Sequence, residues 1–225
     1  SRYAGTGGVE GDEELKGQAK PQALGRCRNV TPILVWQDYR LYQWHDGWSE
    51  VCEAFYDSGI ALVFVGDYPT PSTLIKASVG PGQFATCLRQ SMAVLGVDPV
   101  GQVTCDVRGE RAGNLRPGVR NWANSRIWAN GRYWSNGPID LPVDTHGGVI
   151  WRLLQHRAGV TEAEVNRQMF LDFEELRPEK IGLFLPGGQD EPSFEDVCAR
   201  VAMAGGAFFG CDRGGLIGIK LLTAP

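Results

Sequence analysis

The sequence predicts an α+β fold: a β-rich, sandwich- or barrel-like N-terminal region, then a small α+β unit, with a Trp/Asn-rich β-hairpin insertion between them. Three observations carry this expectation. Thirty glycines and thirteen prolines among 225 residues require many turns and therefore short elements. About eight strand-like runs fall within residues 1–109, a density that suits a sandwich or barrel. Residues 144–225 then order a helix, a strand, a second helix and a hairpin, and residues 110–143 interrupt with a six-residue repeat. These three stretches are the expected domain organisation: a β-rich domain with an extended N-terminal arm, the insertion, and an α+β domain.

Residues 4–20 are glycine-rich and charged without periodicity, which reads as an extended arm or a solvated loop. In an assembling protein, an arm would lie on a neighbour. PILVW (32–36), LYQWH (41–45) and VCEAFYDSGIALVFV (51–65) read as strands, the last folding over Asp57-Ser58-Gly59 as a hairpin. In TPSTLIKAS, Thr70 followed by Pro71 can start a short helix, because proline at the first helical position gives up no needed N–H. FATCL (84–88), SMAVLG (91–96) and QVTCDVRG (102–109) make three closing strands, with Asp98-Pro99 as a turn.

Beyond the insertion, THGGVIWRLLQHRAGV (145–160) predicts an amphipathic helix around 146–157, and KIGLFLP (180–186) a short apolar strand. Ser193 and Asp196 approximate a capping box. Val197, Val201 and Ala202 then recur at helical spacing, and Gly205-Gly206 stops the helix. Residues 207–210 and 216–222 flank Asp212-Arg213-Gly214-Gly215, a turn whose glycines tolerate positive φ. Both helices are expected to pack on one sheet containing 181–185 and the 207–222 hairpin.

In the insertion, Trp122, Trp128 and Trp134 are each followed two positions later by Asn124, Asn130 and Asn136. Six residues turn a helix by about 600°, so these tryptophans would share no helical face. Asn-Gly at 130–131 and 136–137 is the strongest two-residue hairpin signal, which suggests four-residue strands joined by tight turns. Trp122, Ile127, Trp134 and Ile139 would then form a ladder on one face, with Trp128 and Tyr133 on the other, each pair contributing about 0.2–1 kcal/mol. An irregular loop or a solenoid edge remains the alternative. Strands this short need a surface to pack on.

The helix–strand–helix–hairpin order closing on GCDRGGLIGIKLLTAP resembles a C-terminal unit of bacteriophage tail hub proteins. RYAGTGGVEGDEELKGQAKPQALGRCRNVTPILV (2–35), YQWHDG, AFYDSGIAL, GDYPT, GQFATCL and GQVTCDVRG follow the same family's β-rich hub region in order. The ordered series is similar also to hub proteins of phage-like gene transfer agents, and covers residues 2–109 and 144–225. The resemblance implies a structural virion component of a tail tip or baseplate, assembled in the host cytoplasm as a homotrimer around the tail axis. Its implied partners are other tail-tip and baseplate proteins, tail fibres and the tape-measure protein, with DNA only passing through a lumen. It implies no cofactor and no enzymatic turnover.

Composition narrows the function classes. Twenty-two basic and twenty-six acidic residues give a net charge of −4 spread along the chain, with no basic field to grip nucleic acid. Six cysteines without a CxxC pair, and only three histidines, speak against a zinc site and for buried reduced thiols. The absence of a signal-like segment and of an 18-residue apolar run predicts a soluble protein without stable membrane insertion. The start at Ser1 and the end at Pro225 suggest a piece of something longer.

Candidate chemistry is sparse. His45-Asp46 pairs an imidazole with a carboxylate, but adjacent strand residues face opposite ways. Asp144-Thr145-His146 reads as a helix start. Glu13 and Glu14, and Asp172, Glu174 and Glu175, read as a solvated arm and a helix face rather than the paired carboxylates of a glycosidase. No catalytic or metal-binding residue is assigned. The candidate interface is Trp122, Ile127, Trp128, Tyr133, Trp134 and Ile139. The same aromatic and amide groups suit sugar rings, which makes a carbohydrate-binding module for host-surface recognition the alternative.

Overall fold

A computed structural model describes residues 1–110, 141–188 and 192–222. The insertion and its six candidate residues lie outside these. The fold is α+β and strand-rich. Nine strands precede the insertion: β1 (Gln22–Val30), β2 (Ile33–Trp36), β3 (Leu41–Gln43), β4 (Ser49–Asp57), β5 (Ile60–Ala61), β6 (Val63–Asp67), β7 (Gln83–Cys87), β8 (Met92–Leu95) and β9 (Val103–Glu110). A single-turn helix, α1 (Pro71–Leu74), lies between β6 and β7, capped by Thr70 as the sequence predicts. After the insertion come α2 (His146–Arg157), α3 (Arg167–Leu176), β10 (Gly182–Leu185), α4 (Phe194–Ala204), and the hairpin β11 (Ala207–Cys211) with β12 (Ile217–Leu221).

Two five-stranded sheets form a sandwich, ordered β10-β1-β9-β4-β5 and β2-β3-β8-β7-β6. All pairings in them are antiparallel except β6 with β7. Period-two alternation sorts the side chains. Phe55, Cys105 and Val107 meet Tyr42, Phe84, Ala93 and Leu95 between the sheets, around the wholly buried Trp44. Phe55 is the hub of this aromatic core, with ring centroids of Tyr42, Trp44 and Phe84 at 6.3, 6.2 and 5.4 Å. Leu41, Ala85, Met92 and Val94 point the other way and pack beneath Leu74 of α1, so the second sheet is apolar on both faces.

A third core gathers α2, α3, α4 and the hairpin around Ile150, Trp151, Phe170, Phe173, Ala202 and Ile219. The helices at 146–157 and 194–204 lie where the sequence places them, with Thr145 and Ser193 as caps. The sheet beneath them differs from the expectation. β10 pairs with β1, from Gln22↔Leu185 to Gly25↔Gly182, while β11 and β12 stand apart as a two-stranded sheet. The reason lies in β1, which bends at Gly25. There φ is +68°, and a Cβ would come within 2.1 Å of the Ile181 carbonyl oxygen. This bend lets the first half of β1 pair with β10 and the second half with β9, and turns Leu24 into the helical core.

Residues 1–20 pack on their own chain. Tyr3 is 2% exposed and its hydroxyl donates to Gln43 Oε1 at 2.7 Å, while its backbone exchanges hydrogen bonds with Gln18 and Gly17. The segment folds back on its own chain as a loop. All six cysteines are free thiols, four of them buried.

Candidate functional site

The segment 57–67 forms one flank of the sandwich and belongs to both sheets. At the end of β4 the chain reverses through Ser58 and Gly59, both at positive φ (51° and 79°), the geometry of a two-residue primed turn. Asp57 holds the turn. Its carboxylate accepts from the amides of Val100 (2.8 Å) and Gly101 (3.0 Å) and from the Ser58 hydroxyl, and the Val100 amide above all holds its pKa below the usual carboxylate value. β5 pairs with β4 through Tyr56↔Ala61 and Asp57↔Ile60. Leu62 then donates its N–H to Phe55 O at 2.8 Å and packs toward the sandwich core. From Val63 the chain crosses to the other sheet and runs parallel to β7 as its outermost strand.

Among the described residues, the result is an uncovered apolar sheet edge. Ile60, Val63 and Phe64 are 71%, 62% and 53% exposed, and Val65, Val97 and Val100 are exposed beside them. Between Asp57 and Asp67 there is no charged residue and no proline. The edge strands on the opposite side, β2 and β10, bury or half-bury their apolar side chains. Folded proteins ordinarily guard exposed edges with lysine, proline or a covering segment, because free N–H and C=O groups template further pairing. A cleft of about 60 Å³ lined by Asp57, Leu62, Gln83, Leu95 and Val97 adjoins this edge. Ligand pockets measure roughly 300–1,000 Å³, so the cleft has room for water rather than a substrate. The chemistry available here is surface contact.

Several of the other sequence candidates among the described residues have structural partners. His45 is buried, and its Nδ1 accepts the Ala23 N–H at 3.1 Å, whereas Asp46 pairs with the Ser1 amine; the two side chains serve different neighbours. Thr145 caps α2 through the Gly148 amide and donates to Glu174 Oε2 at 2.7 Å, and Asp144 pairs with Lys180 at 2.8 Å. His146 is buried edge-on against Phe173, and burial lowers its pKa; burial raises that of Glu174. Glu13 pairs with Lys16, and Asp172 accepts from Gln168. Among the described residues, no three His, Cys, Asp or Glu side chains are grouped to hold a metal ion. Also among them, no helix is long and apolar enough to cross a membrane.

Sequence reading missed the edge for a definable reason. IALVFV is a continuous apolar run, the pattern of a strand buried on both faces. The crossing from one sheet to the other makes β6 an outermost strand, exposed among the described residues. Comparison with family models, with curated proteins and with solved structures found no match to this chain.

Proposed function

We propose that this chain is a structural component of a phage tail tip or baseplate hub, which acts by contact geometry and not by turnover. The observation that carries the reading is the bare, uncharged sheet edge at 60–65, flanked by Val97 and Val100. An edge of this composition is a liability in a protein that works alone and an asset in one that is covered on assembly. The ordered series of hub-like segments supplies the setting: a ring, three copies by the resemblance, around the tail axis. Neighbouring tail-tip proteins, fibres and the tape-measure protein would dock on it, and DNA would pass through without being gripped. In this reading the chain reaches the virion from the host cytoplasm.

The test is an antibody against the chain, imaged by electron microscopy on particles released by cells that encode it. Label confined to the tail tip on the tail axis is the expected result. Label on the capsid or along the fibres, or none on intact particles, contradicts the reading. Purified chain that binds host glycans and labels no tail tip would favour the carbohydrate-binding alternative instead.

A further inference from the structure

We draw no further inference here: the strongest candidate, the exposed surface patch of Met203, Phe208 and Leu222 where α4 meets the β11–β12 hairpin, is an unpartnered apolar face, and nothing among the described residues shows what covers it.

Discussion

Trp44 has no exposed surface, and its indole N–H still finds an acceptor in Ser49 Oγ at 2.9 Å. Ser49 in turn lies 2.5 Å from Ser91 Oγ, which donates to the Gly47 carbonyl at 2.6 Å. A buried chain of this kind is costly to break, because a severed member leaves an unsatisfied polar group. Ser49→Ala should lower the unfolding free energy by about 1–3 kcal/mol in urea titrations, and Trp44→Ala by about 3–5 kcal/mol through the cavity it leaves. The sequence reads Trp44 as a strand residue, whereas β3 ends one residue earlier at Gln43, and the hydroxyl chain through Ser49 and Ser91 was not legible.

The thiols make a second residue-scale prediction. Burial pushes Cys27 up to about 11 and Cys52 and Cys198 up to about 12, and raises Cys87 and Cys105 as well. Cys211 alone is exposed. The thiolate is the reacting form, so a thiol reagent at pH 8 should modify one cysteine of the native protein rapidly, and Cys211→Ser should abolish that phase. His146 makes a third. Its buried imidazole, with Nδ1 unpartnered, titrates below the ordinary value of 6.5, chiefly through desolvation, with Glu179 opposing and Arg177 reinforcing the shift. The unfolded chain therefore binds more protons just below pH 6.5, and stability falls as pH drops from there toward the folded value. Unfolding free energies measured from pH 7 to pH 5 should show this loss, and His146→Phe should flatten it.

At the scale of elements, what was legible is what local signals encode. The helix at Phe194–Ala204 carries a serine cap, a 3.6-residue apolar period and a glycine stop, and it forms where those three agree. Thr70 and Pro71 start α1 for the same kind of reason. Distant strand partners are misread from the sequence: the expectation joins 181–185 to the 207–222 hairpin, and the structure joins it to β1. Nothing in KIGLFLP says that β10 joins β1 across more than 150 intervening residues. Gly25 makes that pairing possible, and only the structure reveals why it must be glycine. Gly25→Ala introduces both a left-handed backbone strain and a contact at 2.1 Å with a carbonyl oxygen. It should destabilise the protein by more than about 1 kcal/mol and increase exchange of the β10 amides over those of the β4–β9 ladder.

For the whole molecule, three cores sit in series: one outside the second sheet, one between the sheets, and one among the helices. Leu24 and the buried pair Arg152 and Glu110, 3.8 Å apart, tie the last core to the sandwich. The fold class followed from turn density and element order. The exposed flank did not, because exposure depends on which sheets the chain crosses between. The central claim is that this flank is covered when the protein assembles. Hydrogen–deuterium exchange over residues 60–67, compared between the assembled chain and Phe64→Lys, tests it most directly. The account predicts at least tenfold slower exchange of the Phe64 amide region in the assembled chain, where the flank is covered. Equal, fast exchange in an assembly that light scattering shows to contain more than one copy would contradict it.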